Sequence, residues 1–197
     1  MKDNKLNVRD LINAGLFAIL IFIATFIGGM IGFVPTLMPI VPFLQGIISG
    51  PVYMLYSTKI KKTGMVFIQT TVMSLVFFAI GHGPWVVLTG VLAGILAEVV
   101  LKKGNYNNIR QARLTFVIQS LWGLGNWLPI YLARDSYIKT MIDMGYGEEF
   151  AKKMMSVLPN WSLIPIILLG MVGTYIGCSI GIKILKKHFV RAGMAEV

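Results

Sequence analysis

The side chains able to recognise a small molecule fall in a few short stretches. Gly81-His82-Gly83-Pro84-Trp85 sets an imidazole between two glycines, with an indole three residues on. Trp122, Asn126 and Trp127 precede Pro129, followed by Tyr131, Arg134 and Asp135; further on stand Asn160 and Trp161. Gln45 lies on an apolar segment beyond Pro35, Pro39 and Pro42. Trp122 and Asn126, four apart, share one helix face. A carboxamide donates and accepts, an imidazole does either or binds a metal, and a guanidinium offers a planar fork to an anion. Flat apolar surfaces with a few convergent polar groups make a ligand cage. The candidate substrate-binding residues are therefore His82, Trp85, Trp122, Asn126, Trp127, Arg134 and Gln45. No metal site is read, His82 being the single residue that would suit one.

Bond-breaking chemistry has no matching motif. The chain lacks a phosphate-cradling Gly-Lys-Ser/Thr loop, a His-Glu-x-x-His pair, and two acids inside an apolar run that could relay protons. Glu98 is the one acid in a predicted span. Lys102 follows it by four, which predicts a helix-end ion pair. The expectation is a protein that is not an enzyme, needs no cofactor and leaves any ATP hydrolysis to partners. A single cysteine, Cys178, excludes a disulfide framework and a Cys-rich metal site.

The elements that must position the cage follow from composition. Of 197 residues, 56% are hydrophobic and 13% charged, against about 25% charged in soluble domains. The net charge of +10 comes from lysines and arginines that punctuate apolar runs instead of lining a polar face, which argues against nucleic acid and for a lipid bilayer. One crossing takes about 20 helical residues. Dividing the apolar stretches at their Gly and Pro clusters predicts an all-α integral membrane protein, a bundle of six transmembrane helices forming one domain over 1–197. The spans are about 11–31, 37–56, 64–81, 84–101, 114–133 and 161–182. The first apolar run is too long for the core of a cleaved leader, so it is read as a span.

Under that topology every Lys and Arg except Arg134, Lys139, Lys152 and Lys153 falls on one face. The positive-inside bias makes that face, with both termini, cytoplasmic. One connection is long, the extracellular loop 134–160. Its Glu148–Val157 segment sets Phe150, Met154 and Val157 at i, i+4 and i+7, a short amphipathic helix suited to an interface or a lid.

Helix packing in lipid depends on small residues that let backbones approach. Gly173, Gly177 and Gly181 recur every four residues; Gly46 and Gly50, and Gly90 and Gly94, do likewise. These read as internal seams, whereas Ala14 and Ala18 on the first helix are singled out for docking an external partner. Gln119 is read as a bundle-internal hydrogen-bond clamp or a site residue.

The entry KLNVRDLINAGLFA, the turn GHGPW, the segments GNWLPIYLARDSY and GYGEEFAKKM, and the exit LKKHFVRAGMA together make the chain resemble the substrate-capturing S components of energy-coupling factor (ECF) transporters, specifically the Trep_Strep or MptD-type family. The resemblance spans nearly the whole chain. It implies a bacterial cell-membrane subunit of an ABC importer that binds a scarce micronutrient outside, usually a vitamin; the cage of Trp, His and Arg also suits a planar, carboxylate-bearing or metal-containing molecule such as a tetrapyrrole or metal chelate. It also implies toppling in the bilayer on a T component served by two cytosolic ATPases, with Ala14 and Ala18 matching the family's Ala-x-x-x-Ala docking pattern. The alternative class is a stand-alone secondary transporter or channel, which would need an intramembrane ionisable group or a continuous polar path.

Overall fold

In the computed structural model, which describes residues 5–60 and 62–189, the described chain holds helices and turns only. Lys2, Lys61 and Arg191, counted above on the basic face, lie outside those residues. The helices are α1 Val8–Gly29, α2 Val41–Ser57, α3 Met65–Phe77, α4 Trp85–Lys103, α5 Ile109–Gln119, α6 Leu124–Leu132, α7 Arg134–Asp143, α8 Glu148–Val157 and α9 Leu163–Ile184. Five stretches are long and apolar enough to cross a membrane: Val8–Phe33, Pro35–Ser57, Met65–His82, Trp85–Lys103 and Asn160–Lys187.

Local sequence explains most boundaries. Asn7 and Asp10 close a reciprocal capping box at the start of α1, each side chain accepting the other's backbone N–H at 2.9 Å. Asn108 caps α5, its Oδ1 accepting from Arg110 and Gln111 at 2.9 and 3.1 Å. Prolines at 35, 39 and 42 keep the chain from one continuous helix, and a 3-10 turn over Pro35–Ile40 leads into α2. The α3–α4 reversal passes through Gly81 (φ 100°) and Gly83 (φ 77°), a left-handed backbone that a side chain would strain.

The stretch expected as one helix over 114–133 is divided. α5 ends at Gln119, a 3-10 turn occupies Ser120–Gly123, and α6 follows. Pro129 has no N–H to return to Gly125, and Gly125 sits so close to α4 that a Cβ there would strike the Val86 backbone. The start at Ile109 was also earlier than expected, because the Asn108 cap lies before Arg110 and Arg113, which the apolar count excluded. A second departure is α7, a helix where the expected loop held only α8.

The small-residue seams are internal as expected. At Gly46 and Gly50 a Cβ would run into the α9 backbone at Thr174 and Gly177; at Gly173 and Gly177 it would run into Phe43 and Gly46. Ala14 and Ala18 correct the docking expectation. They are 0% and 2% exposed, packed inside their own bundle, because the face of α1 turned outward carries Leu11, Ile12, Leu16, Ile19 and Ile23 instead.

Glu98 is likewise not a helix-end ion pair. Its Oε2 accepts from the Val66 and Phe67 backbone N–H groups at 3.1 and 3.2 Å, and Oε1 lies 3.0 Å from the Tyr106 hydroxyl. A carboxylate thus caps the positive end of α3 from a neighbouring helix. Burial, reinforced by that carboxylate, pushes the Tyr106 phenol up to about 12, so it stays a donor. Asp10 and Lys62 pair at 2.8 Å at the same end. In the middle, Gln119 acts as the expected clamp, donating to Gln69 and Thr70 of α3.

The α2–α9 seam gives a direct test. Gly177→Leu is expected to destabilise the detergent-purified chain by about 3 kcal/mol or more, since the clash is with backbone. Gly15→Ala, whose Cβ would meet nothing within 4 Å, should melt at or slightly above the parent temperature because alanine is the better helix former. Thermal unfolding followed by circular dichroism reads both.

Candidate functional site

Two cavities open between the helices at the end opposite Glu98. The larger, about 340 Å³, is walled by the outer parts of α1 and α2, the Phe77–His82 reversal, α6, and α7 with Tyr146 and Phe150. Below it a pocket of about 40 Å³ is lined by Thr25, Gln45, Ser49, Tyr53, Ser120, Trp122, Trp127 and Thr174, among others. Gln45 and Trp127 border both. The larger volume falls within the usual range of small-molecule sites.

The sequence-predicted residues divide between these places. His82, Asn126, Trp127 and Gln45 line the larger cavity. The His82 ring stands edge-on to Phe77 at 4.9 Å. Trp122 lines the smaller pocket, buried at 5% exposure against Phe77 at 4.7 Å, with its carbonyl accepting from Thr89 at 2.8 Å. Trp85 and Arg134 border neither cavity. Trp85 is 42% exposed on the outer surface of α4.

Arg134 is engaged elsewhere. Its Nη2 donates to the Met155 carbonyl at 2.6 Å, and its Nη1 to the Leu158 carbonyl at 2.9 Å and Asn160 Oδ1 at 3.2 Å. The guanidinium thereby satisfies the orphan carbonyls at the C-terminal end of α8 and offsets the negative end of its dipole. An anion-binding role for Arg134 is replaced by a staple, because the side chain is turned to these three acceptors and borders neither cavity.

Sequence reading missed much of the wall. Phe26, Met30 and Phe33 on the first span, Met38 on the proline turn, and Tyr137, Thr140, Met141 and Met144 on α7 all face the larger cavity. Only the α7 set had a local signal: Tyr137, Met141 and Met144 recur at helical spacing. α8 buries Ala151 and Met154 completely, and Leu158 just after it; Met154 of the expected Phe150, Met154 and Val157 stripe faces inward, while Phe150 and Val157 are only partly buried, and the helix packs on the Pro35–Ile40 turn. Gly145 (φ 89°) and Gly147 (φ 82°) let the chain reverse between α7 and α8 around Tyr146.

Polar atoms near the cavities are sparsely matched. Asn126 Oδ1 is buried with no hydrogen-bond partner. Burial, and then the neighbouring Tyr146, raise the Tyr137 phenol above its ordinary value, so it stands neutral. Among the described residues, none that lines these two cavities is an Asp, Glu, Lys or Arg. No group of three or more His, Cys, Asp or Glu among the described residues is placed to hold a metal ion. The geometry suits binding by shape, stacking and a few hydrogen bonds.

A family model described as a hypothetical bacterial integral membrane protein, Trep_Strep, matches residues 8–191, and the chain belongs to that family. Comparison with curated proteins and with solved structures returns no match. Family and apolar helices together make this a multi-pass membrane protein.

If Arg134 is the staple that holds α8, Arg134→Gln should speed amide exchange across Glu148–Val157 by about tenfold or more, the equivalent of one to two hydrogen bonds to a charged donor. Exchange in α2 and α9 should not change. Hydrogen-exchange mass spectrometry in detergent resolves the two segments.

Proposed function

We propose that the chain is the substrate-capturing S component of an ECF-type ABC importer in the bacterial cell membrane. The observation that carries this reading is the uncharged cavity of about 340 Å³ at one end of an apolar helical bundle. A bundle with a cage at one end, its described lining free of Asp, Glu, Lys and Arg, is suited to capture, while energy comes from elsewhere.

In this reading Ile109–Leu132, helical on both sides of its 3-10 turn, is the sixth crossing, and both termini are cytoplasmic. The charge distribution supports that orientation. Lys5, Lys59, Lys62, Lys102, Lys103, Arg110 and Lys183 gather at the end away from the cavity, where Asp10–Lys62 and Glu98 tie the helix ends together. The cavity then faces outside and takes a scarce micronutrient. His82, Asn126 and Gln45 supply hydrogen bonds, and Trp122 and Trp127 supply apolar surface.

A T component and two cytosolic ATPases would drive delivery as the loaded bundle topples. The surface that meets them is not the Ala14 and Ala18 face, which the bundle itself occupies. The four-glycine contact between α2 and α9 supports rigid-body movement, because those helices touch through backbone and resist sliding.

Uptake separates this reading from a stand-alone secondary transporter. The purified chain in liposomes, given yeast extract outside and an imposed proton or sodium gradient, is expected to retain a small molecule stoichiometrically without accumulating it. Accumulation should require co-reconstituted T component and ATPases with ATP. Mass spectrometry of the vesicle contents reads the result, and concentrative uptake by the chain alone would establish the other class.

A further inference from the structure

We propose, resting on the capture reading above, that the substrate is a neutral or cationic molecule with a flat apolar body and a hydrogen-bond-donating end, and that anionic molecules are rejected. The larger cavity would take the body and the smaller pocket the donating end.

The smaller pocket is built to accept protons. Ser49 Oγ donates to the Gln45 carbonyl at 2.6 Å, Ser120 Oγ to Val117 at 2.6 Å, and Thr174 Oγ1 to Gly170 at 3.0 Å. Each hydroxyl has one proton, and these three return it to their own helices one turn back. Their remaining lone pairs are what they offer the pocket. At about 40 Å³ the pocket has room for a small polar end such as an ammonium, hydroxyl or amide. Gln45, Thr25 and Tyr53, also in the lining, adapt to either role, and the indoles of Trp122 and Trp127 lie beside them.

The floor of the larger cavity repeats this polarity. Asn126 Oδ1 is a buried acceptor with no partner, which is costly until a donor arrives. The larger cavity offers an anion neutral donors and the His82 imidazole, but no fixed positive charge. The lining carries no Lys or Arg, Arg134 borders neither cavity and is turned to α8 and Asn160, and Tyr137 is neutral. A carboxylate or phosphate would be buried without a counter-charge and against fixed lone pairs. A cation meets those same lone pairs beside the indoles of Trp122 and Trp127.

The test uses the full chain in lipid nanodiscs and yeast extract as probe, divided at pH 7 by ion exchange into anionic, neutral and cationic pools. A rise in melting temperature is expected with the neutral or cationic pool. Stabilisation by the anionic pool alone would overturn the proposal and leave capture intact. No stabilisation by any pool or by whole extract would overturn capture itself. With the active pool, Asn126→Leu should weaken binding about tenfold, the loss of one hydrogen bond, while Asn126→Asp, which keeps the acceptor, should bind at least as well as the parent. Ser120→Ala serves as a second acceptor deletion should Asn126→Leu fail to fold. Parental affinity in a folded deletion variant would overturn the acceptor assignment.

Discussion

The contact on which this bundle depends is the backbone-to-backbone approach of α2 and α9. Gly46 and Gly50 meet Gly173, Gly177 and their neighbours so closely that no side chain would fit between them. In lipid there is no hydrophobic gain from joining two apolar helices, so attraction must come from close packing, which falls away steeply with separation. On its other side α2 is approached by α1, where a Cβ at Gly28 would strike the Gln45 backbone. α2 is therefore fixed from two directions. That fixes the depth and facing of Gln45, Ser49 and Tyr53, all of which line the smaller pocket.

With α2 and α9 held, the two ends of the bundle take opposite characters. At one end, Glu98 caps α3, Tyr106 reaches Glu98 and Thr63, and Lys62 bridges Asp10 and the Lys5 carbonyl. Separate helices and connections are tied there by charged hydrogen bonds. At the other end the helices stop short in 3-10 and π turns at Met30–Phe33, Pro35–Ile40 and Phe78–His82, and the turn at Ser120–Gly123 interrupts the stretch beside them. Shortened helix ends leave space, and that space is the cavity. The same prolines and glycines that break the spans thus create the room for a ligand.

α7 and α8 give this open end its roof, and they are held unequally. α8 buries Ala151 and Met154, with Leu158 just after it, and has its last carbonyls stapled by Arg134. α7 buries only Met141. The part of the roof that faces the cavity is thus the less firmly packed part, as is common for segments that admit a ligand.

What the sequence determined by itself are the features governed by nearest neighbours and by sheer apolarity. Gly and Pro clusters located most of the breaks and the uninterrupted hydrophobic runs required lipid, because neither depends on what lies across the bundle. Trp127, Asn126, His82 and Gln45 were also legible, since polar and aromatic groups stand out against an apolar background. Tertiary structure decided the rest. Whether Ala14 and Ala18 face a partner or the chain's own interior depends on how α1 rotates about its axis, and spacing leaves rotation open. Arg134 became a staple because α8 folds back onto it, and Glu98 a cap because α3 begins beside α4. Both partners come from elsewhere in the chain, more than twenty residues away, a distance over which sequence spacing carries no geometry.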